Sequence, residues 1–329
     1  MTMKENGKKY GRMSQRLAYG IVAALVLCGC QSRELDGLVP ESKTFIATIE
    51  DAFNGGETKT YLDGDGNVRW KQGDQVSIFV GSTLNEQYQV TDKSDGKTAA
   101  AFTRISAPGF VGGGEITNNV AFYPYAAAAE IARSGSSYVI SDISLPATQN
   151  YAEASFGNGA FPMVAVTTTT DDLHLKFKNV LGGLKLQLKG TARIASISIT
   201  GRNNEILCGA AEVTVVNESI PAIHLTDASA KTVTLDCGTG VPLNEENATV
   251  FIIALPPMTM PDGFTVVVTD SAGKQMEIST FKSQTINRSI LLKMPAVNYV
   301  GTGSDGVSSG MGQAGNPISD GDVEEGGSF

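Results

Sequence analysis

The sequence predicts an all-β protein built as two tandem β-sandwiches, and three observations carry that expectation. Short runs rich in Val, Ile, Thr, Phe and Tyr recur between clusters of Gly, Asp, Asn and Ser. Within the runs apolar and polar residues alternate, which suits antiparallel sheets with one solvated face. Only Ala126–Arg133 has a composition suited to a turn or two of helix. A chain of 329 residues is also longer than one domain of ordinary size.

The chain opens with a basic head, Lys4, Lys8, Lys9, Arg12 and Arg16 against Glu5, followed by the apolar run Leu17–Cys30. A positive head and an apolar run too short to span a bilayer describe a secretory signal peptide. Leu27-Cys28-Gly29-Cys30 resembles the lipobox of bacterial lipoproteins, with Leu three places before the cysteine and a small residue directly before it. That resemblance implies cleavage between Gly29 and Cys30 and lipid attachment at Cys30; Cys28 fits poorly, because Leu27 is too bulky at the preceding place. A multiply acylated terminus anchors stably, at about 0.8 kcal/mol per buried methylene. The expected arrangement is a leader at residues 1–29, a linker at 30–42 and a body tethered to the outer membrane.

Strands follow in order. Thr44–Ile49 sets Phe45, Ala47 and Ile49 on one face, and Asp51–Glu57 breaks the run. Thr58–Leu62 and Val68–Trp70 flank Asp63-Gly64-Asp65-Gly66-Asn67, which reads as a hairpin turn. Val76, Ile78 and Val80 alternate, and further strands are expected at Tyr88–Thr91, Ala100–Ile105, Val120–Tyr123, Tyr138–Ile140 and Pro162–Thr167. Gly109–Gly114 reads as a loop. Four threonines at 167–170 and Asp171-Asp172 mark a seam between sandwiches at 43–172 and 173–299. Beyond it the pattern restarts, with strands at His174–Phe177, Leu184–Lys189, Ile194–Thr200, Glu212–Val216, Ile220–Thr226 and Thr232–Leu235. Thr249–Leu255, Phe264–Thr269, Gln275–Thr280 and Ser289–Met294 complete the set. The last segment, 300–329, holds nine glycines with Ser, Asp and Glu, too little apolar surface to offset its chain entropy, and is expected to be disordered.

Charge narrows the partners. The whole chain carries −9, and removing a leader of five bases and one acid leaves −13 on 300 residues. An acidic body argues against nucleic acid and anionic lipid surfaces. Past the leader the remaining cysteines are Cys208 and Cys237; in an exported compartment they either pair or sit apart as small core residues.

Several stretches together resemble the fimbrillin family of Gram-negative anaerobes. Lys59-Thr60, then Trp70-Lys71-Gln72-Gly73-Asp74 and Val76-Ser77-Ile78-Phe79, resemble its N-terminal signature. Phe122-Tyr123-Pro124-Tyr125 resembles its aromatic-proline strand, and Leu145-Pro146-Ala147-Thr148-Gln149 its "LP–x–x–Q" step. Phe177-Lys178-Asn179-Val180-Leu181-Gly182-Gly183-Leu184 resembles the strand that opens the family's second domain. The resemblance spans 43–299 and implies two transthyretin-like, Greek-key β-sandwiches and a structural or adhesive role in surface fimbriae. It also implies export as a lipoprotein and partnership with other fimbrillin-type subunits or with copies of itself, besides surface ligands of host or bacterium. Family members are trimmed by a trypsin-like protease beyond the first strand, and the emptied groove accepts a strand from the next subunit. This sequence departs twice. Asp51–Glu57 offers no arginine, leaving Lys59 as the nearest basic residue for processing, and the glycine-rich C-terminus lacks the alternating apolar residues of a donor strand.

Candidate sites for chemistry are few. His174 and His224 both fall in strand patterns, without a Ser-His-Asp order, a CxxC or an HExxH, so the sequence reads as non-enzymatic and calls for no cofactor. Asp63, Asp65 and Asn67, with Asp74 at the twelfth place, mimic part of a calcium loop. Val68 replaces its glycine and the closing glutamate is missing, so a hairpin turn is the better reading and no metal is expected. Gly112-Gly113-Gly114 lacks the context of a phosphate loop. Trp70 is either a core residue or, if exposed, a sugar platform. Asp270-Ser271-Ala272 resembles the O-glycosylation motif of these bacteria, with Ser271 as acceptor. A second function class, a non-polymerising glycan-binding surface lipoprotein, rests on fold analogy alone.

Overall fold

The computed structural model describes residues 43–50, 69–91, 96–107, 116–227, 230–302 and 324–325, all within one compact unit, Ser42–Phe329. In chain order the first strands are β1 (Phe45–Ile49), β2 (Gln75–Val80), β3 (Asn85–Val90), β4 (Ala99–Arg104), β5 (Asn119–Tyr123), β6 (Glu130–Ser134) and β7 (Ser137–Leu145). Next come β8 (Thr148–Asn150), β9 (Met163–Val166), β10 (His174–Asn179), β11 (Gly182–Lys189), β12 (Arg193–Gly201), β13 (Gly209–Val215) and β14 (Ala222–Leu225). The chain continues through β15 (Thr232–Pro242), β16 (Thr249–Leu255), β17 (Met258–Met260), β18 (Phe264–Asp270), β19 (Gln275–Ser279), β20 (Gln284–Ile286), β21 (Leu291–Asn298) and β22 (Glu324–Glu325). The fold is all-β, and no helix occurs among the described residues.

Seven strands close into a barrel in the order β1-β10-β9-β5-β2-β3-β4, with β4 returning to β1. Every pair in it is antiparallel except β1 with β10. Its interior holds Phe45, Ala47, Trp70, Val76, Ile78, Tyr88, Phe102, Tyr123, Leu175 and Phe177. A second, larger core joins the sheets β19-β18-β12-β15-β8 and β16-β11-β21-β22, burying Ile197 and Ile199 of β12, Leu184 and Leu186 of β11, Phe251 of β16 and Val266 of β18. The sheet β14-β13-β7-β6 contributes Val213 and Ile140 to the same core, and β17 pairs with β20 apart from these sheets.

The larger core also takes in Phe79, Val120, Phe122 and Val164, from barrel strands β2, β5 and β9. This explains a departure from the expected alternation in β2. Val76, Ser77, Ile78 and Phe79 are all fully buried, because Ile78 faces the barrel interior while Phe79 belongs to the neighbouring core. A strand covered on both faces loses its polar side.

The helix expected at Ala126–Arg133 does not form. Ala126–Ala129 is a turn in which Ala129 N–H donates to the Ala126 carbonyl at 3.0 Å. The Ala126 carbonyl also accepts from Asn85 Nδ2 at 2.8 Å, and its N–H donates to Ser77 Oγ at 3.2 Å. Glu130–Arg133 then pair with β7, so long-range partners outweigh a weak local preference. Of the expected hairpin around Asp63–Asn67, only Arg69 and Trp70 are described; both are outside any strand, and the rest lies outside the described residues.

The Thr167–Thr170 run with Asp171-Asp172, read from sequence as the seam, links β9 to β10, two hydrogen-bonded neighbours of the barrel. Asn119 holds it: its N–H donates to Thr167 Oγ1 at 2.8 Å, and its Nδ2 to the Asp172 carbonyl at 2.8 Å. Strands before this run, β7 and β8, pair with β13 and β15 beyond it. Gln149 of β8 adds a two-way clasp, donating to the Ala254 carbonyl at 2.8 Å and accepting from Ala254 N–H at 2.9 Å. At the C-terminus Thr302 bridges to Gln275, and β22 pairs antiparallel with β21 opposite Leu292 and Lys293. The remainder of the segment expected to be disordered lies outside the described residues.

Between β10 and β11 the chain passes from the barrel to the larger core. A Cβ added at Gly182 would lie 2.1 Å from the Asn287 carbonyl oxygen and 3.0 Å from that of Ile290. Backbone therefore crosses backbone here at a separation only glycine permits. Gly182→Ala is expected to destabilise the protein by about 1–3 kcal/mol or more, read as a lowered Tm in thermal unfolding.

Candidate functional site

The candidate site is the seat of β1, the strand that closes the barrel between β4 and β10. β1 alternates Phe45, Ala47 and Ile49 inward with Ile46 and Thr48 outward, and the inward three are at most 9% exposed. Its register sets Ile46 beside His174 through Ile49 beside Phe177 on β10, and Phe45 beside Phe102 through Thr48 beside Ala99 on β4. Backbone hydrogen bonds continue past the strand ends, from Ile46 N–H to the Leu173 carbonyl at 2.9 Å and from Glu50 N–H to the Phe177 carbonyl at 2.7 Å. Phe45 meets Tyr88 edge-on, with ring centroids 5.4 Å apart.

Trp70 lies beneath, wholly buried, and meets Phe102, Tyr123 and Phe177 edge-on with ring centroids 4.9, 5.7 and 5.3 Å away. It is a core residue of the barrel, so the sugar-platform alternative falls. Aromatic edge-to-face pairs add about 0.5–1.5 kcal/mol each beyond area burial.

The chain leaves the seat through a polar cluster that the sequence did not reveal. Glu50 Oε1 accepts from Arg288 Nη1 at 2.5 Å, from Asn179 N–H at 2.9 Å and from Ser289 Oγ at 3.2 Å. Arg288 Nη1 also donates to the Asn179 carbonyl at 2.9 Å and to Ser289 Oγ at 3.0 Å. The ion pair is largely enclosed, with side chains 25% and 20% exposed for Glu50 and Arg288. Asn179 ends β10, and Arg288 with Ser289 lies in the turn before β21, so residues 238 apart in sequence meet. No periodicity or motif signals such a pair; only the tertiary path of the chain creates it.

The sequence-derived candidates fall elsewhere. Gly29, Cys30 and Lys59, the calcium-like Asp63, Asp65 and Asn67, and Gly112–Gly114 lie outside the described residues. Asp74 is buried and accepts from Lys71 N–H at 2.8 Å, a turn role. Cys208 and Cys237 are buried free thiols. Burial, with Asp236 adding to it, pushes the Cys237 thiol up to about 12; burial with Asp227 raises Cys208. Ser271 is exposed in the β18–β19 turn, where Gly273 takes a φ of +78°. His174 and His224 are exposed on different sheets. His174 Nδ1 lies 3.3 Å from Asp172 Oδ1. Burial alone would raise the Asp172 pKa, but donors from His174 and Thr168 outweigh it and lower it. Among the described residues no three His, Cys, Asp or Glu side chains converge as a metal site. No described helix is long and apolar enough to cross a membrane.

A cleft of about 250 Å³ runs between β9–β10 and residues Val215–Ser219, with His174, Lys176, Lys178 and Glu218 at its walls. No Phe, Tyr or Trp ring lines it.

No protein-family model and no curated protein matches the chain. Among solved structures it is similar to a candidate cell adhesion protein of Bacteroides ovatus at 12% identity and TM-score 0.43, covering 78% of this chain and 91% of that one. A candidate cell adhesion protein of Bacteroides uniformis shows 15% identity and TM-score 0.44, with 81% and 95% covered. The tip fimbrial protein Mfa3 of Porphyromonas gingivalis, C-terminally truncated, shows 8% identity and TM-score 0.28, with 79% and 97% covered.

Two outcomes follow from the burial pattern. Trp70→Ala is expected to cost about 3–5 kcal/mol in denaturant unfolding, since it removes the ring on which three others pack. Alkylation at pH 8, mapped by peptide mass spectrometry, is expected to leave Cys208 and Cys237 unlabelled until denaturant is added, because the thiolate is the reactive form.

Proposed function

We propose that this chain is a fimbrillin-like surface lipoprotein, a structural and adhesive component of fimbriae that assembles by β-strand addition. The observation that carries the reading is the seat of β1. The first described strand closes a barrel between β4 and β10, and its departure would uncover an apolar groove flanked by two unpaired strand edges. Such an edge is a template for another strand, with main-chain hydrogen bonds supplying affinity and alternate pockets supplying specificity. Phe45, Ala47 and Ile49 define those pockets.

The motif order over 43–299 supports the same reading, and the structural neighbours carry names of the same class. In this proposal the mature chain begins at acylated Cys30 and is held at the outer face of the outer membrane. Lys59 in the segment after β1 is the point of processing. Ser271, exposed in its turn, is the proposed acceptor for O-glycosylation. The alternative of a glycan-binding lipoprotein receives little support from the geometry. Trp70 is enclosed, and the cleft beside β10 offers no Phe, Tyr or Trp ring for sugar stacking, only the His174 imidazole.

The test is the N-terminus of the protein taken from the native cell surface, read by mass spectrometry. A form starting near Lys59–Tyr61 is expected. If every molecule starts at acylated Cys30, strand exchange into this groove is overturned and an anchor or stand-alone lipoprotein remains.

A further inference from the structure

We infer that the β1 groove ends in a carboxylate-reading site, so that its incoming strand is selected for three alternating apolar residues followed directly by an acid. The inference rests on the strand-addition reading above and specifies the partner that this groove accepts.

The apolar half of the code is set by the seat. The first position takes an aromatic ring against Tyr88, and the third a large branched side chain in the place of Ile49. Between them Ala47 is wholly buried, in register with Ala100 and Leu175, so the middle position takes a small residue.

The acidic half is set by groups that do not belong to β1. Asn179 N–H, Arg288 Nη1 and Ser289 Oγ converge on one carboxylate oxygen, and all three remain when β1 leaves. Their positions are fixed by the larger core. Ser289 N–H donates to the Leu181 carbonyl at 2.8 Å, Gly183 N–H to the Ile290 carbonyl at 3.0 Å, and Gly182 packs directly on the same turn. Ser289 is held at a φ of +57°, a conformation that serine adopts under tertiary constraint. An emptied site is therefore a preorganised cluster of donors, one of them cationic, from which a charged acceptor has been removed. A strand carrying Glu or Asp at this place restores the bonds; one carrying Gln loses the ion pair with Arg288 and offers its donors an uncharged acceptor, and one carrying Lys or Arg meets like charge. Residues 303–329 of this chain contain no three alternating apolar residues before an acid. Segment 303–329 therefore does not carry the code, and the partner is a strand of the β1 type, Phe-x-Ala-x-Ile-Glu in pattern, supplied by another molecule.

The test uses the full chain with a site for a sequence-specific protease placed within 51–58. After cleavage β1 is held only by its contacts, and a labelled peptide, Lys-Thr-Phe-Ile-Ala-Thr-Ile-Glu, is exchanged for it and followed by fluorescence anisotropy. The same peptide ending in Gln is compared on the identical protein, so folding of a variant does not enter. The Glu peptide is expected to bind about tenfold more tightly, the worth of a carboxylate over a neutral acceptor facing the Arg288 guanidinium. That difference is expected to vanish in Arg288→Gln. Equal binding of the two peptides to the native sequence would overturn the carboxylate site while leaving strand addition standing. A difference that persists in Arg288→Gln would overturn the role of Arg288. If neither peptide exchanges, strand addition itself falls, and this inference with it.

Discussion

Closure of the barrel by β1 is the constraint on which the rest of this structure depends. Each of the seven strands has a neighbour on both sides only because β1 joins β10 on one flank and β4 on the other. The two junctions differ in kind: β1 is antiparallel to β4 and parallel to β10. A parallel neighbour cannot come from a short hairpin. In this chain the partner of β1 lies more than a hundred residues downstream, after strands that pair elsewhere. Closure is therefore a long-range event, and the barrel interior around Trp70 is enclosed only when it has happened.

The second consequence of closure is the coupling of two cores. Glu50 leaves β1 directly into the turn that carries Arg288 and Ser289, while Phe79, Val120, Phe122 and Val164 extend the larger core onto the outside of the barrel. Breaking one partner of an enclosed ion pair leaves the other charge unpaired, which costs more than the pair itself contributes. The end of β1 is thus tied to the stability of strands that never touch it along their ladders.

Much of this was legible in the sequence where burial is one-sided. Phe45, Ala47 and Ile49 alternate as a half-buried strand requires, and β1, β16 and β18 are found within a residue or so of their expected bounds. Legibility fails where two surfaces are covered or where the partner is remote. β2 reads as alternating but is buried continuously from Val76 to Phe79, because the outside of the barrel is itself a packing face. Ala126–Arg133 has local helical composition, but Ser77, Asn85 and β7 claim its backbone. β8, β17 and β20 are three residues long and carry no period to detect. The motif around Trp70 marked a core residue correctly. The carboxylate cluster had no such marker, since Glu50 and Arg288 are each unremarkable in their own neighbourhoods.

The two cysteines carry a further implication. Cys208 and Cys237 sit in the second core as separate, protonated thiols, and no covalent cross-link among the described residues contributes to the fold. Among the described residues the fold is held by packing, hydrogen bonds and ion pairs such as Glu50–Arg288, none of which responds to ambient redox potential. An oxidant or alkylating agent in the surrounding medium therefore reaches Cys208 or Cys237 only when the larger core opens.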